Sequence, residues 1–365
     1  MTKFAGEYSA QFTIQLANQY TVPQLVDLAR LAHAQGLQRV WVADFLRYRS
    51  PFTVITAIAA QVPIKVGTAV LVPYFRNPID VARTVASIGE LTDGREVSIG
   101  IARGGIFIDH HVQVVKPIAM VRETTQMVSR LLAGDIVQFG DYPLLTSYYR
   151  LPEQAQLQLD IRSPSPVRFY CGGNGPKIME VGGRIMDGVL ISGHFIAFVR
   201  TGKMGGLLAR ADAGARQADP KKRLRKVAEL NLSISRDRRR AREFPKQYVA
   251  HNITNMTRMD FLAPEDFRRL GLSDADLAVM ARLRREFDAG PTAAGATFEE
   301  MAQLIPDSLV DATFLAGTPE EVVDRAAELL DAAAELGFDE ISFAKLGPDY
   351  EEALHLLGTE VLPRL

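Results

Sequence analysis

Two glycine-rich turns carry the residue types best suited to chemistry in this chain. The first is V-S-I-G-I-A-R-G-G-I-F-I-D (97–109), an apolar strand running into a small turn that bears one arginine, Arg103, followed by Gly104. Glycine has no Cβ to clash, so backbone can approach a bound molecule closely there. The guanidinium adds a positive fork that fits phosphate or another planar anion. The second is C-G-G-N-G-P-K (171–177), placed between a strand and a helix. Gly172, Gly173, Asn174, Gly175 and Pro176 would present successive backbone N–H groups at a helix N-terminus, with Lys177 adding charge. Many strand-to-helix turns are glycine-rich for packing alone, but the nearby Arg103 moves the anion-site reading ahead. Neither turn is the dinucleotide G-x-G-x-x-G, and no Walker signature occurs.

Two titratable residues stand where strands should end. Asp44 closes R-V-W-V-A-D (39–44), where a carboxylate could donate or accept a proton or hydrogen-bond a heterocycle. A helix cap or a salt bridge to Arg47 or Arg49 is an equal alternative. His194 directly follows G-V-L-I-S (188–192), with a functional and a structural role evenly balanced. His110 and His111, past the Arg103 turn, are weaker candidates, and His33 and His355 fall on helices. No H-E-x-x-H or other metal spacing exists, so no metal is expected. No G-x-S-x-G elbow supports a serine hydrolase. Cys171, the single cysteine, reads as a small buried hydrophobe with at most a minor site role.

These groups need a scaffold that brings strand ends together, and the periodicity supplies one. Phe12, Ile14 and Leu16 alternate with polar residues as a first strand. Further apolar runs at 39–44, 64–72, 97–101, 167–171, 188–192, 227–235 and 340–344 bring the total to eight. Helical signals separate them: Thr21 and Gln24 at capping-box spacing, Phe52 to Gln61, Asn77-Pro78 to about Leu91, Lys116-Pro117 to about Gly134, Thr318-Pro319 to Gly337, and Tyr350 to Leu362. The passage 135–166 reads as an irregular excursion with a small hairpin. Such alternation implies a parallel α/β sheet with right-handed crossovers. A doubly wound sheet competes, but eight regular units favour a closed (β/α)8 TIM barrel occupying residues 1–365 as one domain. Residues 237–316 are too many for an ordinary connection and carry helix starts at Pro264-Glu265-Asp266 and Ser273-Asp274-Ala275-Asp276. Following strand seven, this helical insertion would sit over the C-terminal face as a lid or pocket wall, or serve packing alone.

The bulk composition removes whole classes of function. The 365 residues are 47% hydrophobic and 23% charged with a net charge of −1, an ordinary soluble composition. Near-neutrality gives no electrostatic case for nucleic acid or an anionic membrane. The basic runs Lys221–Arg225 and Arg236–Arg242 read as solvated surface. One cysteine permits no intrachain disulfide. With neither a signal-like N-terminus nor a membrane-length apolar run, a cytoplasmic protein is expected.

With the turns placed, the chain resembles the bacterial-luciferase-like superfamily of flavin- and deazaflavin-dependent oxidoreductases. The resemblance rests on K-V-G-T-A-V-L-V-P (65–73), N-P-I-D-V-A-R (77–83), L-T-D-G-R-E-V-S-I-G-I-A-R-G (91–104) and G-T-P-E-E (317–321). P-Y-F-R-N-P (73–78), V-K-P-I-A-M-V-R (115–122) and G-G-N-G-P-K-I-M-E-V-G-G-R-I-M-D-G (172–188) look most like the methylenetetrahydromethanopterin reductase branch, which uses coenzyme F420. The resemblance implies a cofactor ring at the C-terminal mouth and a non-prolyl cis peptide at Ala69-Val70 backing it. It also places the cofactor's phosphate arm along Gly172 to Lys177. Two departures stand out. Phe45 replaces a histidine that often follows the acidic end of strand two, and Arg103 resembles the FMN-binding side. The leading expectation is hydride transfer between F420 and a small or medium organic substrate. The alternatives are an FMN-dependent monooxygenase fed by a separate reductase, and a non-catalytic flavin-binding protein. A homodimer is implied by the resemblance.

Overall fold

The computed structural model describes residues 10–105, 108–109, 111–258, 262–288 and 298–365. Its core is a closed barrel of eight parallel strands: β1 Gln11–Leu16, β2 Arg39–Val42, β3 Lys65–Leu71, β4 Val97–Ile101, β5 Val167–Gly172, β6 Gly188–Ile191, β7 Arg225–Ile234 and β8 Glu340–Ala344. Each pairs with its neighbour in chain order, β8 pairs with β1, and together they close the ring. The apolar runs form strands because both faces are covered, by interior side chains within and helices outside. A short strand, Leu315–Gly317, adds to the end of β7. The β3–β4 register slips between Thr68 and Leu71, where the Ala69–Val70 peptide is cis as the resemblance implies.

The outer helices are α1 Val22–Ala34, α2 Pro51–Ala59, α3 Pro78–Glu90, α4 Pro117–Ala133, α5 Pro176–Ile185, α6 Lys203–Ala218, α7 Pro319–Glu335 and α8 Tyr350–Leu356. Their starts follow the expected chemistry. Thr21 and Gln24 close a reciprocal capping box on α1, Thr318 and Glu321 do so on α7, and the Asn77 side chain accepts from the Ile79 N–H on α3. Within 135–166, Val137–Gln138 pairs antiparallel with Gln156–Leu157 around a helix at Pro143–Tyr149.

Two readings need correction, and one helix was not anticipated. The last α-helix stops at Leu356 and continues as a π turn over Leu357–Val361. Helix α6 lacks a sequence signal because Gly205, Gly206 and Gly214 read as breakers. It holds through close packing on α5: a Cβ at Gly214 would overlap Glu180 O, and one at Gly183 would overlap Ala211 O. The basic runs are not wholly solvated. Arg242 is buried and binds Asp307 and Asp311 at 2.8 and 3.0 Å, while Arg225 opens β7 and reaches Glu96 at 2.9 Å.

That last contact belongs to a charged plug at the N-terminal end of the barrel. Buried Arg39 bridges Glu96, at 2.6 Å, and Glu340, which also accepts from Trp41 Nε1 at 2.6 Å and Thr13 Oγ1 at 2.8 Å. This charge cluster serves the scaffold, since the chemistry of such barrels sits at the opposite, C-terminal mouth. No helix among the described residues is long and apolar enough to cross a membrane.

Candidate active site

A cavity of about 480 Å³ opens at the C-terminal mouth. The leading candidates from the sequence all line it: Asp44 and His194; Ala69 and Val70 from the end of β3; Arg103 and Gly104 after β4; and Gly172 through Lys177 after β5. The fold thus gathers residues from five strand ends, β2 to β6, into one space.

The β5–α5 turn is shaped by close approach. A Cβ on Gly172 would overlap Val70 Cγ1 and lie 3.1 Å from Ala102 Cβ, so only glycine fits beneath the Ala69–Val70 stretch. Gly173 has φ +152°, and Gly175 caps α5 with Pro176 at its first turn. Beside these amides Asn174 is buried; its Nδ2 donates to Ser192 O at 3.3 Å, and its Oδ1 has no hydrogen-bond partner among the described residues. Exposed Lys177 stands at the same helix start. A positive helix end with an unsatisfied acceptor beside it has room for a group that brings both an anion and a donor.

Arg103 is half-buried on the cavity wall, where it pairs with Asp109 and donates to Gly104 O at 3.3 Å. Asp44 is nearly buried and already engaged. Its Oδ1 accepts from Arg76 Nη2 at 2.8 Å, and its Oδ2 accepts from Arg76 Nε and Val72 N–H, each at 3.2 Å. Arg76, not Arg47 or Arg49, is therefore its salt-bridge partner, and the carboxylate is held rigidly at the end of β2.

His194 caps the short helix Phe195–Arg200 and is buried, with Nε2 lying 3.3 Å from Asn255 Nδ2. Burial first, and then the charge of Lys345, push its pKa down to about 3; His251 is lowered to about 4 for the same reasons. Both imidazoles are neutral at neutral pH. Cys171 is fully buried, its thiol pushed up to about 12 by that burial, with Sγ 3.4 Å from Ile178 O. It packs as a hydrophobe. His111 is exposed, and His110 lies outside the described residues.

Sequence reasoning gave no role to a further polar group in the cavity: Gln15, Glu229, His251, Asn252, Asn255 and Lys345. Gln15 Nε2 donates to Ala69 O at 3.0 Å and to Glu229 Oε2 at 3.2 Å. Lys345 Nζ donates to Glu229 Oε1 at 3.2 Å and to Asn231 Oδ1 at 2.8 Å. Gln15 and Lys345 lie at the ends of β1 and β8, so the strand-end rule that singled out Asp44 and His194 also points to them. His251, Asn252 and Asn255 come from the helix Lys246–Arg258, within the 237–316 segment that the sequence offers as a lid or pocket wall, although no local pattern singles out these three residues.

The arrangement provides an anion-binding turn, a narrow apolar wall and a polar corner that is charge-balanced. Comparison with known proteins agrees with this architecture. A 5,10-methylenetetrahydromethanopterin reductase of Archaeoglobus fulgidus is 25% identical over 360 residues, covering 97% of this chain and 99% of the relative. An F420-dependent glucose-6-phosphate dehydrogenase of Amycolatopsis mediterranei is 27% identical over 369 residues, covering 96% of each. The crystal structure of the coenzyme F420-dependent tetrahydromethanopterin reductase from Methanopyrus kandleri superposes with a TM-score of 0.73 at 21% identity, covering 97% of this chain and 99% of that one. The family model described as luciferase-like monooxygenase matches residues 7–343, from the first strand of the barrel to the last, and the chain belongs to that family.

Proposed function

We propose that this protein is an F420-dependent oxidoreductase acting on a small or medium organic substrate. The observation that carries the reading is the joining, in one cavity, of the Ala69–Val70 stretch with the amide-rich start of α5 and the buried, unpartnered Asn174 Oδ1. Gly172 to Lys177 would hold the phosphate arm, and Ala69 and Val70 would back the ring. The curated relatives above carry the same cofactor in their names or belong to the reductase branch that uses it. When bound, F420 supplies or accepts a hydride at its ring carbon.

The chain's own residues orient and insulate. Val70, Ile118 and Val121 line an apolar wall that excludes water from the reacting groups. Asp44, locked by Arg76 and Val72, acts as a fixed acceptor for the cofactor's polar edge. His194 stays a neutral imidazole at the reacting corner, where it gives or takes a hydrogen bond. The 237–316 insertion contributes the wall on the helix Lys246–Arg258 side of a single barrel domain.

Arg103 favours a second reading, an FMN-dependent monooxygenase supplied with reduced FMN by a separate reductase, because a guanidinium on the cavity wall suits the FMN phosphate. Side-by-side titration with F420 and FMN, read by fluorescence and absorbance, decides. F420 binding at micromolar strength or better, with weak FMN binding, supports the leading reading; the reverse overturns it. The reading includes a cytoplasmic homodimer, with light scattering as the check on assembly.

A further inference from the structure

The corner of the cavity beneath the insertion holds several polar side chains at close quarters. A Cβ built on Gly193 would lie 3.5 Å from Lys345 Nζ, 3.6 Å from Asn252 Oδ1 and 3.8 Å from Glu229 Oε1. All three side chains therefore meet around one backbone position, next to His194 and its neighbour Asn255.

Charges in this corner are matched. The Lys345 ammonium is tied to Glu229 and Asn231, and Glu229 takes a further hydrogen bond from Gln15. The two imidazoles are neutral, since burial and the Lys345 charge both oppose protonation. Asn252 is different. It is 4% exposed, and its Nδ2 has no hydrogen-bond partner among the described residues. A buried amide donor left unsatisfied is destabilising, so it marks a position that a ligand oxygen would complete.

We propose that Asn252 is a substrate-binding residue whose Nδ2 donates to an uncharged oxygen, the carbonyl of a ketone or aldehyde or the hydroxyl of the matching alcohol, at the reacting carbon. An anion next to that carbon is disfavoured, because it would be desolvated facing Glu229 while the nearby cation is already committed. Apolar Ile118 and Val121, which also line the cavity, suit a hydrocarbon body. This inference rests on the oxidoreductase reading and narrows its substrate class.

The experiment uses the full chain loaded with F420, with loading first established by fluorescence titration. A panel of C4 to C8 secondary alcohols is compared with the corresponding 2-hydroxy acids, following F420 reduction. The neutral members are expected to have kcat/KM at least tenfold above their acidic counterparts. Asn252→Ala is expected to lower kcat/KM for the neutral alcohols about tenfold or more, with the F420 Kd changed less than twofold. Asn252→Ser, which keeps a donor, is expected to recover part of the loss and guards against a misfolded Ala variant. Faster turnover of the acids, no turnover of any neutral member, or full activity in Asn252→Ala overturns this inference while leaving the cofactor reading intact. Absence of F420 binding overturns both.

Discussion

Arg103 and Asp109 form an ion pair on the cavity wall, six positions apart in the loop after β4. The guanidinium that the sequence offers to a cofactor phosphate is thus already matched by a carboxylate of its own loop. An incoming anion must share Arg103 with Asp109 or displace it, and the carboxylate weakens binding by competition and by like-charge repulsion. Asp109→Asn is expected to tighten binding of the phosphate-bearing cofactor several-fold, most clearly at low salt. Arg103→Ala is expected to weaken it about ten- to a hundredfold, in keeping with a lost charge-assisted hydrogen bond of roughly 1.5–3 kcal/mol. Fluorescence titration of the two variants measures both effects, and equal affinity in both would return Arg103 to a structural role in the turn.

Gly172 is the tightest point beneath Val70. Gly172→Ala must push aside Val70 or Ala102, and overpacking of this kind costs about 1–3 kcal/mol. A lower melting temperature together with weakened cofactor binding is the expected pair of outcomes. Gly175→Ala is the control: its Cβ would meet nothing nearer than Ile178 Cγ2 at 3.9 Å, and its φ of −100° suits any residue. Its fold stability is expected to stay within about 0.5 kcal/mol, so a loss of cofactor affinity there reports crowding of the amide turn itself.

How much of this was readable beforehand follows from the range of the interactions involved. The eight strands were legible because apolar runs such as Val40 to Val42 and Val97 to Ile101 are buried on both faces, which local composition records. The starts of α1 and α7 were legible because capping acts over three residues. Helix α6 was not, since it holds through its packing on α5, where Gly214 lets the two backbones meet at Glu180. The same holds within the site. Asp44, His194 and the two turns sit at strand ends, whereas His251, Asn252 and Asn255 reach the cavity from a helix of the insertion, by tertiary placement alone. Arg76 as the partner of Asp44 was missed because 32 residues and the whole of β3 separate them.

The plug at the opposite end of the barrel separates stability from function. Arg39→Ala leaves Glu96 and Glu340 buried with part of their compensation gone, a change that costs about 3–5 kcal/mol. The denaturant midpoint is expected to fall accordingly, while the cofactor Kd of the folded fraction stays within twofold. A large affinity change with unaltered stability would contradict the division between a structural N-terminal end and a functional C-terminal mouth.

The depressed histidines make a definite statement about acid stability. In the unfolded chain both imidazoles take a proton near the ordinary pKa of about 6.5. In the folded protein His251 resists protonation down to about 4 and His194 to about 3, through burial and then the Lys345 charge. Between these limits the unfolded state binds more protons, so stability is complete above about pH 6.5 and falls as pH drops. Each histidine contributes a slope of about 1.4 kcal/mol per pH unit, which ends near pH 4 for His251 and near pH 3 for His194. Denaturant unfolding at a series of pH values measures this slope. His251→Gln is expected to make it shallower by about one proton's worth between pH 6 and pH 4.5, whatever the variant's stability at pH 7. An unchanged slope would mean that His251 titrates alike in both states and is not held neutral in the corner beside Lys345.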